Sequence, residues 1–479
     1  MATKTLKEKT ASGLFWAAMN NGSMQILNAV IGIFLARLLL PSDYGLIGML
    51  TIFSAIASSL QESGFTSALT NMERPTSNDF NAVFWFSNIV GVSSYIVLFF
   101  CAPLIAQYFR HPELIMLSRV LFLCIPLSAV GTVPQAYLYK YMIIKPTTLL
   151  RIVSLIIAGA VSVLMAFHGM AYWSLVAMQL IYVGMQSIGK FFLITWKPSL
   201  HIDFAPIRKM FGFSSKILVT NIISQISQNI LTVIFGRIFP TKTVGNFTQA
   251  WKWNSMASNF ISGMMAQVAQ PVFASLQAEG DRQLKVLRKM VRFTSFLTFP
   301  AMLGLALVSK EFVVVLLSEK WLASVPILQI LCISGAFLPL YQSLQNLIVS
   351  HGRSDLFMWT NIVQILLQIG TILLFAHYGI LVMVAAYSAF TALWTLIWHK
   401  LTQNLLDYKL LDFLKDTLPF LFAALAAIAI AYVVAMPIES LLLSLIIKIL
   451  VAIVIYVTIM KLAKAKIMDE CIKYLLHKK

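Results

Sequence analysis

Long apolar runs, separated by short polar connectors, occupy the chain from about residue 13 to residue 461. Each is close to the ~20 residues that cross a bilayer as a helix, and about fourteen can be drawn. They cover 13–38, 45–70, 82–108, 114–136, 147–167, 171–194, 211–235, 246–270, 292–317, 323–349, 355–376, 379–399, 417–436 and 441–461. The connectors are too short for a soluble domain, so the pattern predicts an all-α integral membrane protein. Two connectors carry patterns of their own. Charges at helical spacing in "EGDRQLKVLRKMVR" (279–292) predict a short amphipathic helix on the inner surface. "EFVVVLLSEKW" (311–321) fits either the end of the ninth span or an interfacial helix after it. The Pro-Ser-Asp-Tyr-Gly at 41–45 reads as a turn between the first two spans.

Composition agrees with lipid as the solvent. The 479 residues are 59% hydrophobic and 11% charged, with mean hydropathy +0.83, whereas a soluble domain is about 25% charged. A net charge of +18 would point to nucleic acid in a soluble protein. Here no basic low-complexity arm exists, and roughly three-quarters of the Lys and Arg fall on one side of the fourteen-span topology. That side is the cytoplasm, and both termini lie on it. The first run is too long and too polar in its middle for a cleaved signal, so it is read as a retained span. Cys101, Cys124, Cys332 and Cys471 are scattered, without a CxxC pair or neighbouring histidines, so neither a metal nor another cofactor is expected. No GxxxxGK[ST], HExxH or GxSxG motif occurs, and no catalytic cluster stands out.

The chain also repeats. Shifted by 200 residues, Asn21 meets Asn221, Gln25 meets Gln225, Arg37 meets Arg237 and Gly45 meets Gly245. Shifted by 210, Gln135 meets Gln345 and Gly169 meets Gly379. The first span thus aligns with the seventh. Six spans is an even number, so the halves face the same way, a parallel repeat about an axis along the membrane normal. The expected division is a cytoplasmic tail 1–12, an N-lobe 13–205, a C-lobe 206–400, two further spans in 401–463 and a cytoplasmic tail 464–479.

Polar residues inside spans need a partner or water. Asn21, Gln25 and Asn28 share one helical face, and Asn221, Gln225 and Gln228 share the equivalent face. Asn361, Gln364 and Gln368 form a third stripe. Such amides either glue helices together or line a hydrated cavity able to bond sugar hydroxyls. Arg37 and Arg237 fall near the outer ends of their spans, either as interfacial anchors or as anion contacts. Lys252, between Trp251 and Trp253, is open in the same way: aromatic-belt anchor or anion site. Glu62 is the acid placed most clearly inside a span, either coupling an ion or paired with Arg151 or Lys140.

Four segments carry a family resemblance: "ARLLLPSDYGLIGM", "ESGFTSALTN", "NAVFWFSNIVG" and "QPVFASLQAEGDRQLKVLRK". With "LLSEKWLASVPILQIL", they are similar to the polysaccharide exporters, the Wzx-like branch of the multidrug/oligosaccharidyl-lipid/polysaccharide (MOP) flippase superfamily. The resemblance spans about 10–400. It implies two six-helix lobes plus two C-terminal helices in the bacterial inner membrane, and a monomeric transporter rather than an enzyme. It also implies an undecaprenyl-pyrophosphate-linked oligosaccharide substrate, flipped outward by alternating access beside polysaccharide polymerase machinery. Cationic residues in related flippases' cavities make Arg37, Arg237 and Lys252 the counterparts to consider. Alternatives are an ion-coupled multidrug or amphiphile antiporter and a membrane-embedded enzyme or scaffold of glycan assembly. Amides, where drug-exporting relatives carry acids in the first or seventh span, count against the antiporter.

Overall fold

A computed structural model describes residues 6–468 apart from 63, 201–202, 278, 464 and 466. Its regular structure is helical throughout, as a chain in hydrocarbon requires when no water is present to satisfy backbone groups. Contacts divide it into two compact units, Met1–Gly245 and Asn246–Lys479.

The first unit contains α1 (Leu6–Leu38), α2 (Pro41–Glu62), α3 (Phe65–Asn71), α4 (Ser77–Phe109), α5 (Leu114–Leu121), α6 (Cys124–Lys140), α7 (Ile144–Phe167), α8 (Trp173–Phe191) and α9 (Ala205–Ile238). The first turn of α10 (Thr241–Ser275) also belongs to it. α1 packs mainly on α7, while α9 packs on α2, α4 and α3. Thus α9, the seventh expected span, joins the first unit by its contacts, whereas the expected lobes follow the repeat.

Local chemistry sets several of these ends. Pro41-Ser-Asp-Tyr-Gly is the first turn of α2 rather than a loop: Pro41 takes the first helical position, and the Leu40 amide donates to Asp43 Oδ2 at 2.8 Å. Thr76 and Asp79 form a capping box that starts α4. At that end Phe80, Phe84 and Trp196 pack in an aromatic core. Ser199, in the connector before α9, is tied to α4, with Trp85 Nε1 donating to its carbonyl at 2.7 Å and its amide donating to Asn81 Oδ1 at 2.9 Å.

The second unit continues α10 and adds α11 (Gly280–Phe312), α12 (Ser324–Ser350), α13 (Ser354–Leu374), α14 (Ile380–Leu406), α15 (Leu410–Ala435) and α16 (Leu441–Leu462). The amphipathic stretch 279–292 is not a separate surface helix: it forms the first turns of the 33-residue α11, because no Gly or Pro interrupts the chain before the apolar part. The open reading of 311–321 resolves into a π-turn at Val313–Leu317 and a 3₁₀ turn at Glu319–Trp321, with Trp321 fully buried.

Ten helical segments among the described residues are long and apolar enough to cross a membrane. The other four expected spans are α1, α8, α9 and α10. In α9 and α10 the amides and cations that mark the candidate site dilute the hydropathy, whereas α1 contributes the apolar but shorter stretch Gly22–Leu38.

Candidate functional site

The amides of α1 and α9 are held by long helices, but their side chains are largely left without helix partners. Gln25, Asn28, Asn221 and Gln225 are half-buried and Gln228 is exposed. Asn28 Nδ2 donates only to its own helix, at the Met24 carbonyl, 2.8 Å away. Asn229 does likewise to the Gln225 carbonyl at 2.9 Å. Among the described residues no side chain of Gln25, Asn221, Gln225 or Gln228 bonds to another helix. The side chains of Asn21 and Glu62 lie outside the described residues.

The third stripe behaves differently. Gln364 and Gln368 are 6% and 3% exposed, and Gln345 Nε2 on α12 lies 3.5 Å from Asn361 Oδ1 on α13. This stripe sits inside the packing between helices of the second unit, the environment expected of interhelical glue.

The cations also separate. Arg237 donates to the Tyr108 carbonyl, and its guanidinium lies 5.3 Å from the Tyr108 ring centroid. Arg37 is exposed at the end of α1. Arg119 stacks 4.3 Å from the centre of the Phe99 ring. Lys140 is committed to the Thr70 and Met72 carbonyls, where it caps the C-terminus of α3. Lys252 is half-buried, 5.9 Å from the Trp253 ring centroid, with no acid paired to it among the described residues. Its neighbours do not form an interfacial belt. Trp253 is 7% exposed and packs edge-on against Phe312 at 5.0 Å, and Trp251 packs on Tyr387 at 5.6 Å. The same helix buries Gln249 completely with neither amide atom partnered, and Asn254 Oδ1 is likewise buried and unpartnered. These two buried amides of α10 were not singled out by spacing, and Asn254 faces the Gly335 position of α12 rather than the side of Lys252.

Two ion-pair centres in the second unit also escaped the sequence. Glu311 and Lys448 pair at 2.5 Å with side chains 8% and 9% exposed. They join α11 to α16, and Ser444 Oγ lies 3.5 Å from the same carboxylate oxygen. Glu311, rather than Glu62 alone, is therefore an acid held within a span. Asp416 is the second centre, 1% exposed, and it accepts from Arg288 Nε at 2.8 Å, Arg292 Nε at 2.5 Å and Tyr408 OH at 2.9 Å. Burial first, then the Asp416 carboxylate, pushes the Tyr408 phenol well above its ordinary range. These clusters staple α11 to the two C-terminal helices at separate heights. Between the same helices lies a cleft of about 570 Å³ lined by Phe296, Pro300, Ala427, Ile453 and Tyr456, apolar except for Lys448 and the Tyr456 hydroxyl.

The family model described as "Polysaccharide biosynthesis protein" matches residues 34–326. The teichuronic acid biosynthesis protein TuaB of Bacillus subtilis is 23% identical over 74% of this chain and 74% of its own length. The lipopolysaccharide biosynthesis protein WzxC of Escherichia coli is 23% identical over 77% of this chain and 76% of its own. In fold, the chain is similar to the lipid II flippase MurJ in an inward closed conformation, with TM-score 0.69 at 15% identity, over 94% of this chain and 99% of that one.

Proposed function

We propose, on the premise that the chain belongs to the polysaccharide biosynthesis protein family, a multi-pass transporter family with the MOP flippase fold, that its substrate is a lipid-linked oligosaccharide. The glycan rides on undecaprenyl pyrophosphate and is moved from the inner to the outer leaflet of the bacterial cytoplasmic membrane by alternating access. Fourteen spans, two parallel six-span repeats with two further helices, and cytoplasmic termini complete this reading. The monomer hands its product to a polysaccharide polymerase.

The observation that carries the proposal is the state of the two equivalent amide stripes. Amide groups within a span that bond no other helix need water or a substrate hydroxyl. Amides neither titrate nor carry charge, so they suit a neutral, hydroxyl-rich cargo better than an ion or a cationic drug. Lys252, a cation with no acid paired to it among the described residues, suits a pyrophosphate, and Arg37 and Arg237 add positive charge where α1 and α9 end. The apolar cleft offers a surface to an isoprenoid chain that otherwise stays in lipid.

Reconstituted protein tests this with a lipid-linked oligosaccharide loaded in one leaflet. The Gln25→Ala/Gln225→Ala variant loses two hydroxyl-binding side chains, each worth about 0.5–1.5 kcal/mol. It should translocate about five- to a hundredfold more slowly while keeping its thermal stability. Unchanged translocation would remove the amides from the transport path.

A further inference from the structure

The first turns of α9 have two faces. Ile207 and Met210 are 7% and 5% exposed and join the aromatic core of Phe80, Phe84 and Trp196. Asp203 fixes the start of the helix: its Oδ1 accepts from the Ala205 amide at 2.8 Å and its Oδ2 from Asn78 Nδ2 on α4 at 2.9 Å. Ser199, just before it, is also tied to α4. The other face is thereby held outward, and it is not simply polar. Phe204 and Phe211 are 43% and 57% exposed. Arg208 is exposed on the same side, four residues after the first and three before the second.

These three side chains, with Ala205, Ile207 and Gly212, line an open concavity of about 680 Å³. The Arg208 guanidinium makes no hydrogen bond, ion pair or ring contact with any described residue, and no other charged side chain lines the concavity. An unpaired guanidinium between two exposed phenylalanines suits the boundary of water and hydrocarbon, where an amphiphile carries its phosphate above its chains. The planar fork of arginine matches phosphate oxygens.

We propose that Arg208 binds the phosphate of an anionic phospholipid whose acyl chains lie over Phe204 and Phe211. The lipid belongs to the inner leaflet on the topology proposed above; the site itself depends neither on that topology nor on the flippase reading. The lining chooses among lipids. It holds no amide or hydroxyl side chain, so the sugar hydroxyls of a lipid-linked glycan would go unbonded there. It holds no carboxylate, and Asp203 is already committed, so the ammonium of a zwitterionic headgroup finds no partner. A headgroup with one phosphate and no cation balances the single guanidinium.

A Cβ built on Gly212 meets nothing within 4 Å. Gly212→Cys, with the native cysteines replaced by serine, therefore carries a fluorophore at the concavity without displacing a neighbour. Liposomes of phosphatidylcholine receive brominated phosphatidylglycerol or brominated phosphatidylcholine at equal mole fraction. The anionic lipid should quench with an apparent affinity at least about fivefold higher, the worth of one cation near an anionic surface. Arg208→Gln should lose about fivefold of that preference and Arg208→Lys less, both with the parent unfolding midpoint. Lys285→Gln, which removes an exposed cation of α11, should leave the preference unchanged. Equal quenching by the two lipids, an Arg208→Gln preference equal to the parent's, or an equal fall in Lys285→Gln would overturn the proposal.

Competition decides the source of the phosphate. Unbrominated phosphatidylglycerol should relieve the quenching, whereas millimolar inorganic phosphate, or a lipid-linked oligosaccharide at the same mole fraction, should not. Relief by inorganic phosphate would mark a soluble-anion site, and stronger relief by the lipid-linked oligosaccharide would mark a dock for the glycan carrier. Either result would contradict a phospholipid site.

Discussion

Removing one partner of the Glu311–Lys448 pair should cost the protein far more than removing both. With side chains 8% and 9% exposed, neither charge has water to fall back on, and the usual discount for a solvent-screened surface pair does not apply. Glu311→Met leaves the Lys448 ammonium with the Tyr432 ring 5.6 Å away and no carboxylate. Lys448→Met leaves a carboxylate whose second oxygen already lacks a partner. Either single change should lower stability by about 3–5 kcal/mol, the range for an orphaned buried charge. Glu311→Met/Lys448→Met removes both desolvated charges together and should return to within about 1–2 kcal/mol of the wild type. The assay is reversible unfolding in mixed micelles for all four proteins, which isolates the coupling energy. Two single variants each within 0.5 kcal/mol of the wild type, or a double variant equal to the sum of the singles, would show that the pair does not hold α16 to α11 as described.

Other consequences can be checked in the same preparations. Asp416→Ala should destabilise by about 2–3 kcal/mol, less than the Glu311 variants, because Arg288 and Arg292 are 28% and 39% exposed and can rehydrate; unfolding midpoints measure it. Lys252→Met should slow translocation about ten- to a hundredfold by loss of a charge-assisted contact, with Lys252→Arg recovering most of the rate in the same flux assay. Gln364→Leu/Gln368→Leu, in the buried stripe of α13, should change the unfolding midpoint and leave translocation within about twofold of the wild type.

The elements that the sequence exposed most clearly are those whose signal is local. An apolar run near twenty residues marks a span wherever it falls, and the amides of α1 and α9 announce themselves by spacing on one face. Helix junctions were harder. The break at Phe122–Leu123 that divides the expected fourth span into α5 and α6 falls one turn before Pro126, which has no amide to give the Phe122 carbonyl; inside a long apolar run such a proline does not say whether the helix bends or stops. The continuity of α11 reflects instead the absence of a breaker, which a change from charged to apolar composition disguised. The two ion-pair centres were not legible, because Glu311 and Lys448 lie 137 positions apart and Asp416 lies 124 from Arg292. No periodicity links such pairs; only packing of α11 on α15 and α16 does. Gln249 was legible in principle, one turn before Lys252 on α10, but the flanking tryptophans read as a surface belt when one of them is buried.

The most direct measurement of the central claim is the leaflet exchange of the glycan itself. Purified protein in liposomes, given an undecaprenyl-pyrophosphate oligosaccharide with its sugar inside, should bring that sugar to an externally added glycosidase many times faster than protein-free liposomes or liposomes holding the Gln25→Ala/Gln225→Ala variant. Exposure of the sugar at the protein-free rate, in liposomes where the same protein moves a cationic amphiphile, would contradict the account.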